Sequence, residues 1–420
     1  MTQGDPISRR VVIIGAGQAG HQLAASLRDQ GMTGPVILIG DEPHPPYQRP
    51  PLSKAYLAAE TIEDLGLEEL AFRPPSFFAD RHITLRLNQR ARRIDRAART
   101  VILESGEAVA YDHLVLATGA RNRRLPIPGM DFSGVMQLRG LDDAFALRQR
   151  LQTARRVAVI GAGFIGLECA ATAAKRGLPV TVVESAARVM ARAVSPEISA
   201  AFEAAHRKAG VDLRFGAMAK EILGETGAAT GLRLADGAVI DADLIIVGVG
   251  VLPNQGLAAE AGLSVGDGVI VDELLLTSDP SISAIGDCAL FPSPYAPAPV
   301  RLESVQNAVD QARCVAARLV GQPADYTALP WFWSDQGALK LQIAGLSIGS
   351  DKTALRRHPT RAESFSAFLY RADKLIAVES VNAVADHMTA RQILSAGFSP
   401  TPEQAADPAI DLKALAKAAA

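Results

Sequence analysis

The sequence predicts an α/β protein: two parallel-sheet domains built on one plan, followed by a small α+β domain toward the C-terminal end. Three observations carry this. An apolar strand, a glycine turn, an amphipathic helix and a second apolar strand ending in an acid follow one another from Val157 to Glu184. The same series runs from Val11 to Asp41. After PWFWSDQ (Pro330 to Gln336) the pattern changes to closely spaced strand-like runs and then a helix.

In the Val157–Glu184 unit, Val157 to Ile160 forms the buried strand, and Gly161, Gly163 and Gly166 open the helix. The first glycine makes the tight turn, the second lets backbone approach a pyrophosphate, and the third lets helix pack on strand. Free N–H groups and the helix dipole then hold the phosphates. Ile165 belongs with these contacts. Glu184 can accept hydrogen bonds from a ribose 2′-OH and repel a 2′-phosphate, which favours NADH over NADPH. Arg188 weighs the other way, because a nearby arginine can accommodate that phosphate. In the earlier unit Val11 to Ile14 precedes Gly15, Ala16, Gly17 and Gly20, and Val36 to Ile39 leads through Gly40 to Asp41. Asp41 is placed for an adenosine ribose, and Glu42 could share that role. Both domains are therefore Rossmann-like, and two fingerprints imply two dinucleotides held at once.

Composition sets the limits. A chain of 420 residues is long enough for two or three domains. Although 48% of the residues are hydrophobic, no apolar stretch approaches the roughly 20 residues that span a bilayer. The opening MTQGDPISRR has no signal-peptide apolar region, so a cytoplasmic location is expected. A net charge of −2 gives no case for nucleic acid or an anionic membrane. The arginines between Arg81 and Arg99, and at Arg121, Arg123 and Arg124, fit either a solvated face or a docking surface. Cys169, Cys288 and Cys314 are far apart, which excludes a dithiol active site and an iron–sulfur or zinc site of usual spacing. No metal is expected.

Taken in order, Pro43 to Leu57 is a proline-rich segment carrying Arg49 and Lys54, with a helical pattern resuming after Ser53. Leu85 to Gly106 reads as strand and hairpin. Tyr111 to Gly119 is an apolar strand whose end, Thr118-Gly119, allows backbone close to a ligand. Ala120 to Met130 is a crossover, and Asp142 to Ala154 and Pro196 to Gly210 read as helices. Leu213 to Val239 suggests strands, Asp243 to Val249 a buried strand, and Gly250 to Asn254 the return crossover. Ser281 to Ala289 is a strand ending in Gly-Asp, which brings the Asp287 carboxylate toward a polyol hydroxyl. Val305 to Leu319 is helical, Leu341 to Val384 strand-like, and Thr389 to Ser395 helical. The alanine-rich stretch from Ala405 to Ala420 is a frayed tail or a terminal helix. The implied domains are 1–119 with 250–326, then 120–249, then 327–412, with 413–420 as a tail.

RPPLSK (Arg49 to Lys54), LVLATG (Leu114 to Gly119), GFIGLE (Gly163 to Glu168), TSDP…AIGDC (Thr277 to Cys288), RLESVQNA (Arg301 to Ala308) and PWFWSDQ together resemble one family over nearly the whole chain. It is that of the flavin-dependent, putidaredoxin-reductase-like ferredoxin reductases of glutathione-reductase-like fold, which serve bacterial cytochromes P450 and Rieske-type dioxygenases. The resemblance implies FAD in the first fingerprint and NADH in the second. It places FAD contacts at Gly15, Gly17, Gly20, Asp41, Lys54, Ala91 (through backbone), Arg139, Asp287 and Val305. Arg49, Thr118 and Gly119 line the same site, and Trp333 lies near the flavin in the C-terminal domain. It further implies hydride transfer from nicotinamide C4 to flavin N5 beside a Lys54–Glu168 pair, and single-electron delivery to a [2Fe–2S] ferredoxin. Arg313 and Trp333 are its docking candidates. A rubredoxin reductase, a general NADH diaphorase and the NADH-responsive apoptosis-inducing-factor flavoproteins share the fold. Monomer and weak dimer both remain open.

Overall fold

A computed structural model describes residues 6–59 and 66–419. The chain divides into two compact units: Met1–Gln48, Gly66–Arg121 and Leu252–Pro330 form the first, and Arg49–Leu65, Asn122–Val251 and Trp331–Ala420 the second.

The first unit is built on a five-stranded parallel sheet in the order Ile282–Ala284, His113–Leu116, Val11–Ile14, Val36–Ile39, Ile83–Arg86. All four residues of Val11–Ile14 are buried, as a central strand covered on both faces requires. The helices Gln18–Asp29 and Val305–Leu319 pack on each other, using faces that bury Leu23 and Leu27 from one and Ala312, Val315 and Ala316 from the other. The hairpin read between Leu85 and Gly106 splits in two. Ile83–Arg86 is an edge strand of the main sheet, and Ala91–Asp95, Thr100–Leu103 and Ala108–Ala110 form a separate antiparallel sheet.

The second unit repeats the plan. Its parallel sheet runs Val211–Phe215, Val180–Glu184, Val157–Ile160, Leu244–Val247, Val135–Met136. In both sheets the strand before the glycine turn is central, with the strand that leads to the acid on one side and a later strand on the other. The crevice outside the carboxyl ends of such a sheet is where this topology binds nucleotides. The rest of the predicted Leu213–Val239 strands form an antiparallel sheet of Ala219–Glu225, Ala228–Leu234 and Val239–Asp241.

The C-terminal part of this unit is an antiparallel five-stranded sheet in the order Trp331–Gln336, Leu339–Gly345, Lys374–Val381, Phe365–Arg371, Lys352–Arg357. The helices Val384–Ser395, Pro402–Ala406 and Leu412–Ala419 accompany it, the first beginning five residues before the predicted Thr389. The alanine-rich tail is thus helical over most of its described length.

The described segment 49–59, grouped by sequence with the first domain, belongs by its contacts to the second unit. Its prolines sit at the start of a 3-10 turn, Pro50–Ser53, where a missing N–H costs nothing, and a helical turn, Ala55–Ala58, follows. Arg148, 1% exposed, holds it by donating to the Tyr56 carbonyl at 3.3 Å and lying 4.9 Å over the Tyr56 ring. Arg176 donates to the Leu57 and Ala59 carbonyls at 2.8 and 2.9 Å.

Glu379 ties the C-terminal sheet to the start of the helix Pro196–Lys208. It is fully buried, and one carboxylate oxygen accepts the Ser195 N–H at 2.8 Å while the other has no partner among the described residues. Burial pushes its carboxyl up to about 7, partly offset by the hydrogen bonds from Ser195. An acid raised in the folded state costs nothing below its unfolded pKa, and its cost grows as pH rises through the folded value. The full cost above pH 7 is on the order of 3 kcal/mol. Glu379→Gln is therefore expected to gain melting temperature on the parent protein between pH 5 and pH 8. An offset that is equal at both pH values would show that the buried carboxyl carries no such cost.

Candidate active site

The first glycine cradle is stereochemically committed. Gly15 has φ +109°, and a Cβ there would lie 2.1 Å from the Ala117 carbonyl oxygen. At Gly20 a Cβ would lie 1.9 Å from the Gly15 carbonyl oxygen, so helix and turn touch as the third glycine requires. Gly17 differs: it is the N-cap of Gln18–Asp29, with no side-chain cap, and a Cβ there would meet nothing within 4 Å. The helix also has no acid in its first turn. Open space beside uncapped N–H groups fits a pyrophosphate, and Ala16 lies between the two glycines that shape it.

The first unit also contains Asp41, Ala91, Thr118, Gly119, Asp287 and Val305. Asp41 has a 54% exposed side chain and meets Arg90 at 3.3 Å, a pairing worth little at this exposure. Glu42 accepts the Tyr47 hydroxyl at 2.5 Å, which leaves Asp41 as the more open acid of that strand end. Ala91 opens the strand after Arg90, buried, so that only its backbone is offered. Thr118 and Asn254 bond reciprocally: Thr118 Oγ1 donates to the Asn254 carbonyl at 2.7 Å and Asn254 Nδ2 to the Thr118 carbonyl at 2.9 Å. Asn254 N also donates to the Gly119 carbonyl at 2.9 Å, fixing Gly119 at φ +66°. Asp287 sits in the turn Gly286–Cys288, held where Gly286 N donates to Gln311 Oε1 at 2.7 Å and Arg301 Nη1 donates to the Asp287 carbonyl at 3.2 Å. The Gln311 Nε2 group is buried with no partner among the described residues. The polar, glycine-lined surroundings fit the dinucleotide that the sequence implies. Asn254, Gln311 and Arg301 were not singled out in sequence, though each lies in or near a stretch that was.

In the second unit Gly161 has φ +102°, with the Gly248 carbonyl oxygen 2.5 Å from a would-be Cβ, and Gly166 repeats the tight contact with Gly161 at 2.2 Å. Gly163, the N-cap of Phe164–Lys175, again faces open space, and Ile165 in the first turn is 38% exposed. Glu184 organises the loop: it accepts Ala162 N at 2.7 Å and Ala186 N at 2.8 Å. Arg188 is turned away into its own loop. It donates to the Val194 and Ala191 carbonyls, each at 2.8 Å, and to Ser199 Oγ at 2.5 Å.

The second unit also holds Arg49, Lys54, Arg139, Glu168 and Trp333. Arg49 donates to the Arg139 carbonyl at 2.8 Å. Lys54 Nζ lies 2.9 Å from Glu168 Oε1, with the lysine side chain 20% and the glutamate 4% exposed. Two hydroxyls converge on the same carboxylate, Ser53 Oγ at 2.5 Å and Ser334 Oγ at 2.6 Å. A buried pair with its remaining lone pairs satisfied is a defined, costly-to-break arrangement, unlike a surface ion pair. Trp333 is half-buried and lies 5.5 Å from Trp331, while Phe332 packs 4.7 Å from Phe164 on the glycine-opened helix. All three cysteines are unpaired; Cys169 and Cys288 are buried, and burial pushes the Cys169 thiol up to about 12. A thiol so disfavoured as thiolate is inert at neutral pH.

The pyridine nucleotide-disulphide oxidoreductase family model matches residues 9–312, and a reductase C-terminal model matches residues 331–416. Rhodocoxin reductase of Rhodococcus erythropolis is 51% identical over 403 residues, 96% of this chain and 93% of that protein. The crystal structure of the ferredoxin reductase for the CYP199A2 system from Rhodopseudomonas palustris superposes with TM-score 0.94 at 54% identity, covering 97% of this chain and 99% of that one. The covalent putidaredoxin reductase–putidaredoxin complex gives TM-score 0.93 at 41% identity, covering 98% and 99%.

Proposed function

The chain belongs to the pyridine nucleotide-disulphide oxidoreductases, within the ferredoxin reductases, and from that premise we propose that it passes electrons from NADH through FAD to a [2Fe–2S] ferredoxin supplying a cytochrome P450 or ring-hydroxylating dioxygenase. The observation that carries the reading is the pair of uncapped glycine cradles in one chain whose cysteines form no dithiol. When bound, FAD accepts hydride from NADH and gives up its electrons one at a time. The protein's own part is binding, orientation and electrostatics. Gly15, Gly17, Gly20, Asp41, Thr118, Asp287 and Val305 hold FAD, with Arg49, Arg139 and Trp333 contributing. Gly161, Gly163, Ile165, Gly166 and Glu184 hold NADH. Lys54, kept in place by Glu168, is the cation assigned to the negative charge of the reduced flavin. No described helix is long and apolar enough to cross a membrane, and three unpaired cysteines fit a cytoplasmic location.

The test is steady-state turnover of the purified yellow protein with NADH and NADPH, first with ferricyanide and then with a [2Fe–2S] ferredoxin plus cytochrome c. Fast NADH-dependent turnover through the ferredoxin is expected. Ferricyanide turnover with no ferredoxin-dependent rate would move the acceptor to a rubredoxin or a quinone.

For docking, Arg313 is 61% exposed and only loosely paired, 3.6 Å from Asp310. Trp333 is proposed as the aromatic part of the acceptor face. Weak redox partners meet over small, electrostatically steered surfaces, and ferredoxins are generally acidic. Arg313→Glu is expected to lower kcat/KM for the ferredoxin roughly tenfold at low salt, with little change toward ferricyanide. If the variant kept the parent protein's salt dependence, Arg313 would be no part of the docking surface.

A further inference from the structure

The strand Trp331–Gln336 has two faces with separate tasks. Its odd residues include Trp331 and Trp333; Trp331 meets His387 at 6.0 Å and lies under the Arg391 guanidinium at 4.7 Å. Its even residues, Phe332, Ser334 and Gln336, turn to the other side, as the two-residue period of a strand requires. There Phe332 packs on Phe164 and Ser334 donates to Glu168. Gln336 Nε2 donates to Ser334 Oγ at 3.2 Å, and Gln336 Oε1 lies 2.9 Å from His206 Nε2. With the amide oxygen as acceptor, His206 must carry its proton on Nε2. Burial holds the His206 imidazole below its ordinary pKa, consistent with a neutral ring.

Every donor in this row therefore points one way. His206 donates to Gln336, Gln336 to Ser334, and Ser334 to the Glu168 oxygen that also meets Lys54. All four members of the row are buried: His206 is 4%, Gln336 3%, Ser334 0% and Glu168 4% exposed. Burying an amide, a hydroxyl and an imidazole is costly unless each is paired, and here each is paired with the next. Gln336 Nε2 also lies 3.5 Å from Met190 Sδ, and Met190 N donates to the carbonyl of Ala162, inside the second glycine turn, at 2.9 Å. Gln336 is thus a hub between the Lys54–Glu168 pair and the NADH cradle.

We infer that Ser334, Gln336 and His206 are positioning residues for the Lys54–Glu168 pair, so that the C-terminal domain helps assemble the redox centre as well as presenting an acceptor face. The inference rests on the assignment of Lys54 to the flavin's charge. Ser334 fixes which oxygen of Glu168 meets the lysine, Gln336 fixes the Ser334 hydroxyl, and His206 fixes the Gln336 amide.

The test uses the FAD-loaded full chain. Ser334→Ala is expected to slow flavin reduction by saturating NADH roughly five- to tenfold, the scale for losing one hydrogen bond to a charged group. It is also expected to shift the flavin midpoint potential in the same direction as Lys54→Met, by less, with FAD content unchanged. Ser334→Thr, which restores a hydroxyl, is expected to recover most of both. Gln336→Met keeps volume but cannot donate to Ser334, so it supplies a second variant with a partial effect if Ser334→Ala folds poorly. If Lys54→Met moves rate and potential while Ser334→Ala and Gln336→Met move neither, the positioning inference is overturned and the lysine assignment stands. If Lys54→Met itself moves neither, the assignment fails and the inference with it.

Discussion

Lys54→Met is expected to slow reduction of the bound flavin by NADH on the order of a hundredfold, and to make its midpoint potential more negative, while FAD remains bound. The lysine is one of three donors on a carboxylate that is 4% exposed, and the only one that carries charge. Removing it takes away the cation and leaves Glu168 uncompensated, so loss of positive charge and gain of net negative charge act in the same direction on a reduced flavin. Breaking a buried pair from one side also costs stability, about 3 kcal/mol or more. The control is therefore Lys54→Met combined with Glu168→Gln, which removes both charges while keeping an acceptor for one of the two serine hydroxyls and offering an N–H to the other's oxygen. The double variant should recover most of the stability and only part of the rate. Stopped-flow reduction and a dye-equilibrated potential separate the two. A single variant with the parent protein's reduction rate would remove Lys54 from the mechanism.

How much of this was legible in the chain depended on whether the signal was local. The glycine turns were, because each constraint is written within a few residues. Gly15 sits at φ +109° against the Ala117 carbonyl and Gly20 must touch the Gly15 carbonyl, and a Cβ fits at neither position. The two parallel sheets followed from the same units, and the helix Val305–Leu319 was read with its observed ends. Helix starts without a clear cap were harder: Val384–Ser395 begins at an uncapped Ala383, and the reading found only its second half.

Long-range association was legible only through the family resemblance, which paired Lys54 with Glu168, 2.9 Å apart in the structure; the residues themselves did not announce it. Nothing in RPPLSK says that its serine joins the lysine on Glu168; Ser53 and Glu168 are 115 residues apart. Ser334 is a further 166 residues from Glu168, and in sequence it was merely the residue after an interesting tryptophan. The alternation in PWFWSDQ was available, but its two faces gain meaning only once a helix start is known to lie against one of them. Arg188 shows the reverse case. Read linearly it competed with Glu184 for the choice of cofactor; in the fold it donates within its own loop, which weighs toward Glu184.

That preference can be measured. Glu184→Ala is expected to lower kcat/KM for NADH roughly thirtyfold, about 2 kcal/mol, and to raise it for NADPH no more than a few-fold. The first effect has two sources. The carboxylate is the acceptor assigned to the ribose hydroxyls, and it also pins the glycine loop through Ala162 N and the following turn through Ala186 N. The second effect is small because removing the repelling acid does not supply a cation. Arg188 already donates to the Ala191 and Val194 carbonyls and to Ser199 Oγ, and Ser199 Oγ in turn donates to the Val189 carbonyl. To reach a 2′-phosphate the guanidinium would have to abandon those acceptors and leave part-buried carbonyls unpaired, at a cost comparable to what the phosphate contact returns. Measured with ferricyanide as acceptor, the variant should still prefer NADH or use both cofactors poorly. A clear reversal to NADPH would show that Arg188 leaves its loop readily, and that Glu184 alone had been holding the preference.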